Sequence, residues 1–141
     1  MPDEPHPPLT ARHRVKSYEL DSFGHVNNAV YLNLFEGARN EYMLQRGLSF
    51  ADFSVWKAHP IVAEAWVRYR RAAFVDDKLV ILGAVENASN VSFTIRYRIE
   101  REGDGQWLAE GTTRMAFVDP EGKPTRIPQA FKEKFIESRG V

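Results

Sequence analysis

From position 61 to 118 the chain reads as consecutive strands, and its one long helical pattern lies entirely ahead of them. Ile61, Ala63, Ala65, Val67 and Tyr69 alternate with Val62, Glu64, Trp66, Arg68 and Arg70, the period of a strand with two different faces. Residues 79–85 are apolar on both faces. The clearest run follows, with Val91, Phe93, Ile95, Tyr97 and Ile99 on one face and Ser92, Thr94, Arg96, Arg98 and Glu100 on the other. A fourth strand is expected over 107–118. Asn87-Ala88-Ser89-Asn90, Gly103-Asp104-Gly105 and Asp119-Pro120-Glu121-Gly122 punctuate these runs as turns. A helix outside an antiparallel meander predicts an α+β fold rather than parallel α/β.

The helical pattern spans 29–45. At 100° per residue, Tyr31, Leu34, Phe35, Ala38 and Tyr42 form one stripe, with Asn33, Glu36 and Asn40 elsewhere. Asn27 or Asn28 can cap its start, and Gly47 suits the left-handed position after its end. Gly37, inside the helix, costs about 1 kcal/mol against Ala, which is tolerable where another backbone comes close. A strand is expected over 11–18 and irregular chain over 48–57. Pro128 is expected to open a short helix that packs down Ile127, Phe131 and Phe135. Strands this long suit a sheet curved around one long helix. The expected organisation is a loose arm over 1–10, broken by Pro2, Pro5, Pro7 and Pro8, then a single domain over 11–137 and a tail over 138–141.

Composition removes several function classes. Nineteen Lys plus Arg balance 19 Asp plus Glu, without the cationic surplus that nucleic-acid binding needs. No apolar run approaches the ~20 residues of a membrane span. The opening MPDEPHPPLTARHR lacks an apolar signal core, so the cytoplasm is the expected compartment, with no membrane partner. With no Cys, disulfides, thiolate metal sites and a cysteine nucleophile are excluded.

Reactive groups concentrate in Tyr18-Glu19-Leu20-Asp21-Ser22-Phe23-Gly24-His25-Val26-Asn27-Asn28-Ala29, which delivers the chain to the helix start. Unpaired N–H groups and the positive dipole end there favour developing negative charge. An acyl carbonyl under attack would be stabilised at that spot. Asp21 can activate water or attack directly, and His25 can orient a group or pass a proton. The same residues also fit a plainer reading, in which Asn27 and Asn28 are caps, Gly24 a turn residue, Asp21 a surface charge and His25 a hydrogen-bonded histidine. His6 and His13 read as solvated, and His59 before Pro60 as structural. No two His sit at metal-ligand spacing, and neither metal nor cofactor is expected. Ser22 lacks a Gly-x-Ser-x-Gly setting. Arg68, Arg70 and Arg71 read either as a solvated strand end or as a phosphate site.

These residues resemble the hotdog-fold acyl-CoA thioesterases, the branch that includes 4-hydroxybenzoyl-CoA thioesterase. The likeness runs through Tyr18-Glu19-Leu20-Asp21, Gly24-His25-Val26-Asn27-Asn28, Tyr31 and Phe35-Glu36-Gly37-Ala38-Arg39. It continues in Pro60-Ile61-Val62, Tyr69-Arg70-Arg71, Asp77-Lys78-Leu79, Gly111-Thr112-Thr113, Phe117-Val118-Asp119 and Gly122-Lys123-Pro124-Thr125-Arg126-Ile127-Pro128. The resemblance implies a homodimer joined edge to edge, often stacked into a homotetramer, with acyl-CoA bound at the dimer interface near the helix start. Asp21 falls on the family's catalytic aspartate, and amides near Asn28 and Ala29 would polarise the thioester carbonyl. His25 falls on the active-site histidine of plant-type acyl carrier protein thioesterases. Asn28 stands where some bacterial relatives place a histidine, Phe23 where the plant enzymes have Asn, and Ala72 where many relatives have Pro. The expected catalytic set is Asp21, His25 and Asn28, with Asn27, Ala29, Tyr31, Arg70, Arg71 and Arg126 binding substrate. Because CoA is polyanionic, Arg68, Arg70, Arg71, Lys123 and Arg126 are candidates for a cationic rim. Two rival functions share these residues: an acyl-thioester hydratase or dehydratase, and a non-catalytic acyl-CoA-binding protein.

Overall fold

Every residue of the predicted helical stripe, Tyr31, Leu34, Phe35, Ala38 and Tyr42, is buried in helix α1 (Val30–Gln45), joined by Arg39 and Met43. The computed structural model describes residues 9–137. Around α1 curves an antiparallel sheet of β1 (Leu9–Arg14), β2 (His59–Tyr69), β3 (Lys78–Glu86), β4 (Ser92–Arg101) and β5 (Trp107–Val118) in the order β1-β3-β4-β5-β2. A two-residue β6 (Pro124–Thr125) pairs with the end of β5. The inward-facing set on β4, Phe93, Ile95, Tyr97 and Ile99, is buried as its alternation predicts, whereas Val91 lies exposed in the preceding turn.

One row across the sheet fixes how α1 sits on it. Gly83, Tyr97 and Gly111 are aligned partners on β3, β4 and β5. The Tyr42 ring fills the notch over Gly83, where a Cβ would meet it at 2.5 Å, and the Phe35 ring fills the notch over Gly111. Between them lies the Tyr97 ring, stacked on Phe35 at 4.3 Å and on Tyr42 at 6.5 Å. The Tyr42 hydroxyl donates to the Ile81 carbonyl at 2.6 Å, anchoring the outer ring to β3. The close approach therefore uses glycines of the sheet. At Gly37, where the sequence pointed to one, nothing lies within 4 Å of the place a Cβ would take.

Four further expectations are corrected. The first strand covers Leu9–Arg14 rather than 11–18, and Ser17–Glu19 is a 3-10 turn. Glu19 causes this turn: it accepts from the Lys16 N–H at 2.8 Å and pairs with His13 Nε2 at 2.9 Å, so His13 is not simply solvated. Leu9 and Thr10 thus belong to the sheet and not to an arm, while His6, Pro2, Pro5, Pro7, Pro8 and the 138–141 tail lie outside the described residues. The stretch expected to be irregular holds a helix, α2 (Phe50–Trp56), in which the Asp52 carboxylate accepts from the Ser49 N–H at 2.9 Å. Ser49-Phe50-Ala51-Asp52 is a capping signature that sequence reading could have used. At the C-terminus, Pro128 leads into α3 (Gln129–Phe131) and a wider turn over Lys132–Ile136, with Ile127, Phe131 and Phe135 buried as expected.

The buried phenols make stability sensitive to alkali. Burial, the largest cause, raises the Tyr31, Tyr42 and Tyr97 hydroxyls above 10.0, Tyr31 to about 12. The unfolded chain ionises first, so stability is complete below pH ~10 and declines as pH climbs towards the folded values. Each such phenol contributes a slope of about 1.4 kcal/mol per pH unit in that window. Urea unfolding followed by circular dichroism at successive pH values is expected to show this decline, less steeply in Tyr42→Phe. An equal slope in that variant would contradict the assignment.

Candidate active site

The segment between β1 and α1 is fixed by its backbone before any side chain acts. Leu20 bridges Val26, the Asp21 N–H donates to the His25 carbonyl at 2.7 Å, and Gly24 turns the chain at φ +81°. The Val26 N–H donates to the Ala73 carbonyl at 2.9 Å and the Asn27 N–H to the Glu19 carbonyl at 2.8 Å. His25 also bridges Phe74. The loop is thereby held against the connection between β2 and β3.

This scaffold orients Asp21. Its Oδ1 accepts from the Phe23 N–H at 2.9 Å and the His25 N–H at 3.1 Å, while Oδ2 has no donor among the described residues. The half-buried carboxylate opens on a cavity of about 290 Å³ with His25, Asn28, Tyr31, Tyr69, Arg70 and Arg71. Six of the nine residues expected from sequence thus share one cavity. The His25 imidazole lies between the rings of Phe23, stacked at 6.3 Å, and Phe74, edge-on at 5.3 Å.

The helix start is built differently from either capping expectation. Ala29 occupies the N-cap position. Asn27 Oδ1 accepts from the Ala29 N–H at 2.9 Å, so both groups are already engaged with each other. The Asn28 N–H, one residue ahead of the N-cap, makes no hydrogen bond among the described residues and is left as an open donor. On the following peptide, the Asn28 carbonyl accepts from the Tyr69 hydroxyl at 2.8 Å. Tyr69, which sequence reading did not single out, also packs its ring edge-on against Tyr31 at 5.1 Å. Burial first, and then the Tyr69 phenol, hold the Tyr31 hydroxyl up to about 12, so it remains a proton donor at ordinary pH.

Of the candidate cations, only Arg70 and Arg71 line the cavity. The Arg70 guanidinium lies over the Trp107 indole at 4.1 Å, with Arg98 over the same ring at 4.0 Å. Arg68 is engaged with Glu110 at 3.7 Å and Lys123 with Glu121 at 3.8 Å. Arg126 is exposed beyond β6, at the opposite end of β5 from this cavity, so within one chain it is not part of the site. Among the described residues no cluster of His, Asp or Glu could hold a metal ion, and no helix is long and apolar enough to cross a membrane.

A curved antiparallel sheet wrapped around one long helix is the hotdog fold, here with a carboxylate-bearing cavity at the start of that helix. The chain belongs to the thioesterase-like superfamily, whose family model matches residues 15–135. It is 33% identical over 110 residues to the long-chain acyl-CoA thioesterase FadM of Escherichia coli, a match covering 75% of this chain and 80% of that protein. It is 25% identical over 123 residues to the chloroplastic acyl-acyl carrier protein thioesterase ATL3 of Arabidopsis thaliana, covering 87% of this chain but 65% of that longer protein. Among solved structures, a hypothetical protein from Aquifex aeolicus aligns with a TM-score of 0.85 and 27% identity, over 91% of this chain and 99% of its own.

Proposed function

We propose that this chain hydrolyses an acyl-CoA thioester to a free carboxylic acid and CoA. The observation that carries the reading is the Asp21 carboxylate, with one oxygen held by two backbone N–H groups and the other without a donor in the cavity. In the water route, Asp21 Oδ2 takes a proton from water as its oxygen adds to the thioester carbon. In the direct route, Oδ2 itself adds, and water later cleaves the resulting anhydride. Either way the carbonyl oxygen gains negative charge, which the open Asn28 N–H and the positive end of α1 stabilise. The C–S bond then breaks and the CoA thiolate leaves, taking up a proton. Tyr31 supplies a second, always-protonated donor in the same cavity, and His25 positions substrate between its aromatic neighbours. Arg70 and Arg71 attract the CoA phosphates.

Thiol release from short, long, branched and aromatic acyl-CoAs tests this reading, with an enoyl-CoA included and its double-bond absorbance followed separately. Thiol release supports a hydrolase. Loss of the double bond without thiol release would assign a hydratase, and saturable binding without turnover a binding protein.

The oligomer belongs to the same proposal. Among the described residues β2 has one strand neighbour, β5, and leaves Ile61, Val62, Trp66 and Tyr69 exposed along an 11-residue strand. A long apolar edge of this kind is a template for pairing. Sedimentation is expected to give at least twice the 16.2 kDa chain mass, and lysine at both Val62 and Trp66 to shift it towards one chain. A monomeric parent protein would refute the pairing.

A further inference from the structure

Trp107, the first residue of β5, receives the Arg70 and Arg98 guanidiniums on its indole from the two strands that flank β5, Arg70 from the end of β2 and Arg98 from β4. The ring is itself fixed: it is half-buried, and its Nε1 donates to the Ala109 carbonyl at 3.2 Å. The two arginines differ in what else they meet. Arg98 is paired with Glu100 at 2.6 Å. The Arg70 backbone N–H donates to the Leu108 carbonyl at 2.8 Å, which sets its main chain beside the indole, and its guanidinium has no carboxylate partner among the described residues. Stacking uses the flat face of a guanidinium, while its five N–H groups point outward in the plane. An aromatic partner therefore fixes this cation without neutralising it or occupying its donors, as a carboxylate would. Arg71, the other cation of the Asp21 cavity, donates its backbone N–H to the same Leu108 carbonyl but has no side-chain partner among the described residues. Arg68 also lies over a ring, Trp66 at 5.3 Å, but it is engaged with Glu110. Of the two cavity cations, Arg70 is thus both oriented and uncompensated.

We propose that Trp107 is a positioning residue for the carrier end of the substrate: by holding Arg70 at full charge at the rim of the Asp21 cavity, it sets the guanidinium to bind a phosphate of CoA. The inference rests on the acyl-CoA reading and identifies what in this chain selects CoA over a phosphate-free thiol. Trp107 touches no reacting atom, and its influence passes through Arg70 alone.

The test uses whichever of the short, long, branched and aromatic acyl-CoAs is hydrolysed fastest, beside the same acyl group on pantetheine, which keeps the thioester and lacks every phosphate. The readout in each protein is the ratio of kcat/KM for the CoA thioester to that for the pantetheine thioester, so a smaller folded fraction cancels. Trp107→Leu is expected to lower this ratio by about 3-fold or more, through KM for the CoA thioester rather than kcat, and Trp107→Phe to lower it less. Arg70→Met is expected to lower it by about 10-fold. Because Trp107 acts through Arg70, Trp107→Leu is expected to cause no further fall in the Arg70→Met background and its full effect in the Arg71→Met background. Should Trp107→Leu not fold, Trp107→Phe makes the same comparisons with the same sign. Should no thioester be hydrolysed, the hydrolase reading fails, and calorimetric binding of CoA against pantetheine by the same variants still decides the role of Trp107. An unchanged ratio in Trp107→Leu, or an equal further fall in the Arg70→Met background, would overturn the inference.

Discussion

Alanine at Asp21 is expected to lower thioester hydrolysis by about 10³-fold or more while leaving the fold and assembly intact, since it removes the base or nucleophile itself. The loop does not depend on this side chain for its shape. Its backbone is held through the Asp21–His25, Val26–Ala73 and Asn27–Glu19 hydrogen bonds, none of which involves the carboxylate. The Phe23 and His25 N–H groups lose an acceptor, but Phe23 is exposed and water can replace it. Asp21→Asn keeps an oxygen for those two donors and is expected to lose activity comparably, which separates chemistry from positioning. Thiol release by each variant, beside its circular dichroism and sedimentation, makes the comparison. Full activity in a folded Asp21→Ala protein would remove this residue from the mechanism.

The largest stability effect is expected at Gly111. A methyl group there would stand 2.5 Å from the Trp66 carbonyl oxygen and 2.6 Å from the Phe35 ring. The ring could turn aside only by leaving its stack on Tyr97, and the carbonyl belongs to the neighbouring strand. Gly111→Ala is therefore expected to cost about 3 kcal/mol, a fall of roughly 10 °C in Tm for a chain of this size. Gly37→Ala is the control of opposite sign, expected to gain about 0.5–1 kcal/mol by helix propensity, because its surroundings are open. A Gly111→Ala protein that melts like its parent would show that the ring row is not a constraint.

Local pattern carried most of the architecture. The helical stripe and the alternation on β4 are one-dimensional records of burial: the stripe matched the buried set throughout and the alternation from Phe93 to Ile99, Val91 being exposed, while the expected turns carry positive φ at Asn87 and Gly105. What sequence could not show was set by contacts between distant segments. The turn at Ser17–Glu19 depends on Glu19 meeting His13 and Lys16, and strand propensity gave no sign of it. Gly83 and Gly111 look like weak points of strands until the rings of α1 are placed over them. At the site, Asp21, His25, Asn28 and Tyr31 were legible because one short segment carries them. Arg70 and Arg71 join them only because β2 ends beside that segment, and Tyr69, from the same strand end, was read as part of the strand and not as a site residue. Arg126 follows the motif in sequence but is carried away by the length of β5.

The Tyr69 hydroxyl spans two parts of the protein that are otherwise separate, the end of the edge strand and the first turn of α1. Whatever orders β2 therefore also orders Asn28, the residue whose N–H is proposed to meet the reacting carbonyl. Under the proposed pairing through β2, specific activity is expected to depend on protein concentration: on dilution below the dissociation constant of the paired copies, turnover per chain falls, and it recovers when the chains are concentrated again. Reciprocity then requires that a bound thioester tighten the association of the copies by the same factor by which association tightens the thioester.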